Sequence, residues 1–194
     1  MIIGLLRKNK QFKKIRVGFG LPRAEEIFRH IKPFLKRSDK VLEIGAGSGD
    51  IAKVLKNLDY DVAVLDVQDI SFWDDIRPII YDGKKMPFSD GSFDVALLIT
   101  VLHHTRDPEA ILREAKRVSK KVIVIEDIFI GPFQKYLTFV MDSFINLEFI
   151  NHPHLNKDDT AWREVFRTMG FRILDSEKYP FWRFFLSGLY VLKS

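Results

Sequence analysis

The segment VLEIGAGSGDIA, residues 41–52, places three glycines between an apolar run and the beginning of a helical pattern. A strand, a glycine-rich turn and a helix open the βαβ unit of nucleotide-binding proteins. Dinucleotide-binding proteins use the spacing G-x-G-x-x-G, whereas Gly45, Gly47 and Gly49 give G-x-G-x-G here, and Asp50 stands where the last glycine is expected. Because a carboxylate near the helix start repels a phosphate, the spacing disfavours NAD and FAD.

Short apolar runs and helical patterns alternate from residue 40 onward. Runs such as KVLEIG, DVAVLD and KVIVIED are too short for buried helices, and their alternation with helices indicates a parallel sheet covered on both faces. Asp107 followed by Pro108 is typical of a helix start. Near the C-terminus, TAWREVFRTMGF predicts a helix that stops at Gly170, and the two strands after it are expected to form an antiparallel hairpin. The predicted fold class is therefore α/β.

The composition is that of one globular domain, with 194 residues of which 46% are hydrophobic and 29% are charged. No apolar run reaches the ~20 residues that a membrane span requires. The opening MIIGLL is unlike a signal peptide, so we expect a cytoplasmic protein. The chain has no cysteine, which excludes disulfides, thiolate metal ligands and cysteine nucleophiles.

The positive charge is concentrated at the N-terminus. Residues 1–40 carry 12 Lys and Arg against 3 Asp and Glu, whereas residues 41–194 carry 19 against 23. We assign this charge to a basic N-terminal arm, residues 1–21. A helix is predicted to begin at Pro22, which suits the first position of a helix. Residues 22–194 then form a single domain.

Three carboxylates are predicted at the carboxyl edge of the sheet. Glu43 precedes the glycines, Asp66 ends the second strand and Asp82 follows the third. Ligands of open α/β sheets bind at this edge, and three acids there favour a cationic ligand over an anionic one. Plainer structural roles stay open: Asp82 with Gly83 is a common turn dipeptide, and Glu43 is suited to capping backbone N–H groups.

Taken together, these motifs resemble the class I S-adenosylmethionine-dependent methyltransferases, and in particular the small-molecule type with a methyltransferase-11-like domain. LEIGAGSG resembles the family's first motif, DGKKMPFSDGSFDVALL its adenine loop and fourth strand, and VLHHTRDPEAILREAKRV the segment after that strand. The resemblance covers residues 22–194. It implies a Rossmann-like, doubly wound sheet of seven strands, mostly parallel with a C-terminal antiparallel hairpin strand, and S-adenosyl-L-methionine as the cofactor.

The resemblance also implies a role for each matching residue. The glycine loop would cradle the methionine part of the cofactor, Asp66 would bind the ribose hydroxyls, and Asp82 with the Gly83 backbone would meet the adenine. Glu43 would orient the loop or the ligand's ammonium group. Between Asp66 and Asp82 the family's usual helix is compressed, so Val67, Gln68 and Phe72 are candidates to cover the adenine. The residues expected to contact the cofactor are Glu43, Gly45, Ala46, Gly47, Gly49, Asp66, Val67, Asp82, Gly83 and Ile99.

Two histidines follow the fourth strand, where a methyl acceptor is expected to approach. His103 and His104 are each a candidate catalytic base, with a packed or solvent-facing histidine as the alternative. Adjacent side chains there cannot both face the site. His152 and His154 lack a carboxylate at ligand spacing, so no metal site is predicted.

The acceptor is predicted to be small and largely apolar: a lipid, a quinone or a secondary metabolite. Residues 128–160 form the expected insertion over the acceptor side, rich in aromatic residues, although core packing explains such a pattern equally well. The chain lacks both the Asn/Asp-Pro-Pro-aromatic motif of amino-nitrogen methyltransferases and the cysteine of C5-pyrimidine enzymes. The expected apolar stripe consists of Phe133, Leu137, Val140, Met141, Phe144 and Leu147.

Two other functions stay open on the sequence. The basic arm is suited to contact the phosphates of RNA or of an anionic membrane surface, which keeps an RNA methyltransferase as an alternative. The simplest interpretation is a disordered arm that is exposed to solvent. A protein that binds the cofactor without turning it over, as the partner of an enzyme, is the other alternative. The oligomeric state is left open.

Overall fold

A single sheet of seven strands organises the computed structural model, which describes residues 10–129, 157–181 and 185–193. The strands are β1 (Lys40–Ile44), β2 (Asp61–Asp66), β3 (Ile79–Ile80), β4 (Val95–Ile99), β5 (Lys121–Ile128), β6 (Arg172–Phe181) and β7 (Phe185–Lys193). The helices are α1 (Lys10–Ile31), α2 (Asp50–Asn57), α3 (Pro108–Val118) and α4 (Asp159–Thr168), with 3-10 turns at Lys32–Phe34 and Leu102–His104.

The strand order is β3-β2-β1-β4-β5-β7-β6. β1 pairs in parallel with both β2 and β4, while β7 runs antiparallel to both β5 and β6. The predicted seven-stranded, mostly parallel sheet with an antiparallel C-terminal hairpin is confirmed. The chain order reverses on either side of β1, and open α/β sheets bind their ligands at such a point, outside the carboxyl ends of the strands.

Apolar side chains alternate between the two faces of the sheet, as the two-residue period of a strand requires. Leu42, Leu98 and Val124 lie in one buried cluster, which α3 and α4 cover. Val41 and Leu97 lie in the other, against α1 and α2. The sheet is therefore covered on both faces, and its central strands are held by burial on both sides.

Two predicted helix boundaries are confirmed. Asp107 caps α3, because its carboxylate accepts a hydrogen bond of 2.9 Å from the amide of Ala110. Gly170 follows α4 with a φ of +71°, a conformation that suits glycine at the end of a helix. The segment between β2 and β3, residues 67–78, folds into turns and bends without a helix, in keeping with its compressed length.

The predicted start of the first helix at Pro22 is wrong. Helix α1 begins at Lys10 and contains Pro22 in its interior. Proline costs a helix one backbone hydrogen bond, but residues before it make tertiary contacts that hold them in place. Phe12 lies 6.2 Å from the ring of Phe72, and an Arg16 nitrogen lies 3.6 Å from the carboxylate of Asp50. The division into an arm, residues 1–21, and a domain, residues 22–194, stays a prediction, and the helix passes through that boundary.

Several predictions fall on residues outside the described ranges. They concern the aromatic stripe from Phe133 to Leu147, most of the insertion at residues 128–160, and the pair His152 and His154. Across the described part of the chain, no helix combines the length and the apolar character needed to cross a membrane.

Candidate active site

A cavity of about 550 Å³ opens at the carboxyl ends of β1, β2 and β4. Its wall combines the glycine loop, the ends of these three strands, one side of α1 and the hairpin strands β6 and β7. Most of the residues that the sequence assigns to the cofactor meet here. Those in the wall are Glu43, Gly45, Ala46, Gly47, Asp66, Val67, Gly83 and Ile99.

The glycine loop needs two of its glycines for different reasons. Gly45 has a φ of +69°, and a Cβ added there would lie 2.8 Å from both methyl groups of Val101. Gly47 has a φ of +53° and no neighbouring atom within 4 Å of such a Cβ. The loop therefore packs closely against the end of β4 at Gly45 and leaves open space at Gly47, where a ligand can approach the backbone.

Asp66 ties the loop to the end of β2. One of its carboxylate oxygens accepts a hydrogen bond of 2.8 Å from the Gly47 amide, and the other accepts one of 3.2 Å from the Gln68 amide. The side chain is buried and lies in the cavity wall. Each carboxylate oxygen can accept a further hydrogen bond, so Asp66 is positioned to accept from ligand hydroxyls while it holds the loop.

Glu43 is the most perturbed acid of the site. It is 3% exposed, and its Oε2 is buried without a hydrogen-bond partner in the described part of the protein. Burial, with smaller contributions from the nearby carboxylates of Asp50 and Asp66, raises the pKa of Glu43 to about 8. An unsatisfied carboxyl oxygen in a cavity wall, beside two other acids, is a place for a cationic group.

Asp50 begins α2 and is turned into the cavity wall. Its carboxylate accepts hydrogen bonds of 2.7 Å from the Ser48 hydroxyl and 2.8 Å from the Trp73 indole. Arg16 of α1 lies beside the same carboxylate. The acid that replaces the last glycine of the dinucleotide motif thus occupies the helix N-terminus, where a pyrophosphate would otherwise lie.

Two residues assigned to the cofactor lie outside the cavity wall. Asp82 is exposed, and its carboxylate accepts hydrogen bonds from the backbone amides of Lys84 and Lys85, which lower its pKa. It has the turn-capping role that the sequence left open, while the adjacent Gly83 reaches the wall. Gly49 caps α2 in the left-handed conformation, behind the wall.

The two histidines after β4 have different surroundings. His103 is buried, and its Nδ1 lies 2.5 Å from an oxygen of the buried Glu126. The other oxygen of Glu126 accepts hydrogen bonds from the amides of Val101 and Leu102. His104 is half-buried and lies in the cavity wall. Of the two candidates for a catalytic base, the structure brings only His104 to the cavity.

Helix α1 contributes residues that the sequence analysis did not assign to the site. Within the described residues, Arg16 and Arg23 are the only Lys or Arg side chains in the cavity wall. Arg23 places its guanidinium 4.8 Å from the centre of the Phe181 ring, and its Nε is buried without a hydrogen-bond partner in the described residues. Extending the helical pattern through Pro22 to Lys10 would have revealed both arginines on the same side of the helix.

The far side of the cavity is apolar and aromatic. The hairpin strands contribute Phe181 and Phe185, and the segment after β4 contributes Val101. Phe12 and Ile27 of α1 complete this wall. The cavity wall is therefore acidic around the glycine loop and mainly aromatic and aliphatic beneath α1 and the hairpin, where Arg23 and Asp127 are the charged residues. Such a combination is typical of sites for small organic ligands.

We predict that the free energy of unfolding of the protein falls, relative to that of Glu43→Gln, as the pH rises from 4.5 to about 8. In this range the folded protein keeps a proton on Glu43 that the unfolded chain releases, so a higher pH favours unfolding. The difference grows by up to about 1.4 kcal/mol per pH unit. Urea denaturation of both proteins across this range measures it. Parallel pH profiles would mean that Glu43 ionises at its ordinary pKa.

Comparison with known proteins agrees with this geometry. Residues 42–123 match the family described as a methyltransferase domain. An uncharacterized protein of Methanocaldococcus jannaschii is 33% identical over 114 residues, which are 55% of this chain and 53% of that protein. A demethylmenaquinone methyltransferase of Thermotoga maritima is 28% identical over 134 residues, which are 63% and 55% of the two chains. The chain thus spans about half the length of these curated relatives.

The fold is shared with solved methyltransferases. The magnesium protoporphyrin IX methyltransferase of Synechocystis, solved with bound SAH, superimposes with a TM-score of 0.64 at 17% identity, over 96% of this chain and 88% of that one. The resemblance noted in the sequence is confirmed, with S-adenosyl-L-methionine as the cofactor of the family. Residues 42–123 match a methyltransferase domain, and the sheet has the architecture that the resemblance to class I S-adenosylmethionine-dependent methyltransferases predicts.

Proposed function

We propose that this protein transfers the methyl group of S-adenosylmethionine to a small, largely apolar acceptor. The observation that carries the proposal is one cavity with two chemically different ends. Its charged end contains the glycine loop, Glu43 and Asp66, and its apolar end contains Phe181 and Phe185. The two ends belong to one continuous cavity, so a donor and an acceptor can meet in it.

The charged end fits the charges of the cofactor. S-Adenosylmethionine carries an ammonium and a sulfonium, both cationic, and one carboxylate. Glu43 presents a buried carboxyl oxygen that has no partner among the described residues and can receive the ammonium group. Arg23 of α1, beside Phe181, presents a buried Nε that can receive the carboxylate. Asp66 and the open backbone at Gly47 suit the ribose and the methionine part. A dinucleotide would instead bring phosphates to a helix N-terminus already occupied by Asp50.

The cofactor supplies an activated methyl group, which an acceptor takes up by in-line displacement. Such a reaction depends on holding the two reactants close and aligned, and on excluding water. The glycine loop and Asp66 fix one partner. The aromatic wall formed by Phe12, Phe181 and Phe185 excludes water around the other. A base is needed only when the acceptor must lose a proton.

His104 is our candidate for that base. It lies in the cavity wall, at the end of β4 where the acceptor would approach. His103 lies behind it, with the two ring centres 4.0 Å apart, and is held by Glu126. We therefore assign His103 a positioning role: together with Glu126 it fixes the 3-10 turn that presents His104.

Two observations support an apolar acceptor. The wall opposite the glycine loop is aromatic and aliphatic, which favours binding through apolar surface. The Thermotoga relative is named as a methyltransferase of demethylmenaquinone, and the Synechocystis structure as a methyltransferase of magnesium protoporphyrin IX. An RNA methyltransferase and a non-catalytic cofactor-binding partner remain the alternative functions, and the experiment below separates them.

Transfer of a labelled methyl group from S-adenosylmethionine to cell extracts tests the proposed function. We expect label in the lipid-soluble fraction, because an apolar acceptor partitions there. Label confined to RNA or protein would contradict the proposed acceptor class. No transfer, together with tight cofactor binding in calorimetry, would favour the non-catalytic alternative. Tighter binding of NAD than of S-adenosylmethionine would overturn the cofactor assignment.

Replacing Arg23 with methionine should weaken S-adenosylmethionine binding by roughly ten- to a hundred-fold, as expected for a lost hydrogen bond to a charged group. The affinity for decarboxylated S-adenosylmethionine should not change, because that analogue lacks the carboxylate. Isothermal calorimetry with both ligands makes the comparison. Arg29→Met, at an exposed position on the same helix, is the matched control. Equal losses for both ligands would mean that Arg23 acts by packing α1 against Phe181.

We expect His104→Ala to lower the catalytic rate and His103→Ala to lower the stability of the protein. The first should lower kcat by roughly a hundred-fold or more if the acceptor loses a proton, and leave the free energy of unfolding nearly unchanged. The second should lower the free energy of unfolding by about 1–3 kcal/mol, since it leaves one buried oxygen of Glu126 without the His103 imidazole. Kinetics with the purified acceptor and urea denaturation separate the two effects. A stable His103→Ala protein with lost activity would reverse the assignment.

A further inference from the structure

The first half of α1 carries two large apolar side chains that face solvent. Ile15 is 57% exposed and Phe19 is 66% exposed. They are four residues apart, so they lie on one face of the helix, one turn after the other. The buried residues of the same helix, Gly20, Ala24 and Ile27, lie on a different face, toward the sheet. The exposed face therefore plays no part in holding α1 on the domain.

The same part of the helix is strongly basic. Its first 15 residues, 10–24, contain five Lys and Arg and no Asp or Glu. Lys14 is exposed next to Ile15, and Lys13 reaches Asp74 at 3.3 Å from the flank of the helix. Exposed apolar side chains beside a lysine that is also exposed, on a basic stretch of helix, suit contact with an anionic membrane surface through both charge and apolar burial.

This face adjoins the mouth of the cavity. Phe19 belongs both to the exposed face and to the cavity wall, and Phe12 and Arg16 continue the wall along the same helix. A molecule that passes Phe19 therefore moves directly from the surface of α1 toward the aromatic end of the cavity.

We propose that the α1 face formed by Lys14, Ile15, Gly18 and Phe19 docks on the surface of an anionic lipid bilayer, and that the apolar acceptor enters the cavity from the bilayer past Phe19. The entry of the acceptor from the bilayer rests on the proposed function and extends that function by naming the source of the acceptor. The aliphatic Ile15 at the centre of this face favours lipid over RNA, because an RNA surface is recognised by stacking and phosphate contacts.

Sedimentation of the full-length protein with vesicles tests the docking. We expect it to sediment with phosphatidylcholine vesicles that contain phosphatidylglycerol and to stay in solution with phosphatidylcholine alone. Lys14→Glu should lower the partition coefficient at least about five-fold, the value expected for one basic residue near an anionic surface. Ile15→Asp should lower it roughly ten-fold or more, through lost burial of the side chain.

Leu174→Asp is the matched control, because Leu174 is an aliphatic residue that is 47% exposed on a different element, β6. It should leave the partition coefficient unchanged. Thermal unfolding and calorimetry with S-adenosylmethionine confirm that each variant is folded, since neither Lys14 nor Ile15 lies in the cavity wall.

Three results would overturn the docking proposal. The first is failure of the protein to sediment with anionic vesicles. The second is an equal loss for Leu174→Asp and Ile15→Asp. The third is salt-dependent binding to single-stranded RNA that Lys14→Glu abolishes and Ile15→Asp preserves, in the absence of vesicle binding. Vesicle binding by a protein that methylates only water-soluble acceptors would leave the docking intact and overturn the proposed acceptor class, so the two failures are distinguishable.

Discussion

The hydrogen bond from the Gly47 amide to the Asp66 carboxylate connects two neighbouring parallel strands beyond the point where their ladder ends. This hydrogen bond holds the glycine loop with Gly47 in a left-handed conformation. It also holds the Asp66 carboxylate in the cavity wall. Gly45 continues this arrangement by donating its amide to the Leu65 carbonyl, 2.8 Å away. Asp50, at the start of α2, takes its position from the path of this loop, while Glu43 is held in β1 between β2 and β4.

The site separates charges of opposite sign that belong to different elements. The acids come from the sheet and from α2, whereas Arg16 and Arg23 come from α1, which lies outside the family match at residues 42–123. Helix α1, by contributing Arg16 and Arg23, offsets part of the negative charge of an otherwise acidic wall. It also allows one site to receive both signs of charge in a zwitterionic ligand, which the strand ends alone would not do.

Local motifs made the sheet and the glycine loop predictable. The loop, Asp66 and the cap at Asp107 are defined by residues close together in sequence, and turn and helix chemistry acts over that range. The extent of α1 was missed because Pro22 favours a helix start, while the contacts that carry the helix past it involve Phe72 and Asp50, far along the chain. The choice between His103 and His104 depended on Glu126, 23 residues beyond His103, and no local pattern indicates such a partner.

The two-residue strand β3 leaves little backbone at that edge of the sheet for another chain to pair with. Ile79 and Ile80 are half exposed there, and a longer strand of the same character would invite edge-to-edge association. The turns that replace a helix between β2 and β3 bring Arg77, Asp69 and Asp74 close to this edge, where they form ion pairs. The short strand and the surrounding charges therefore disfavour edge-to-edge association at this edge of the sheet.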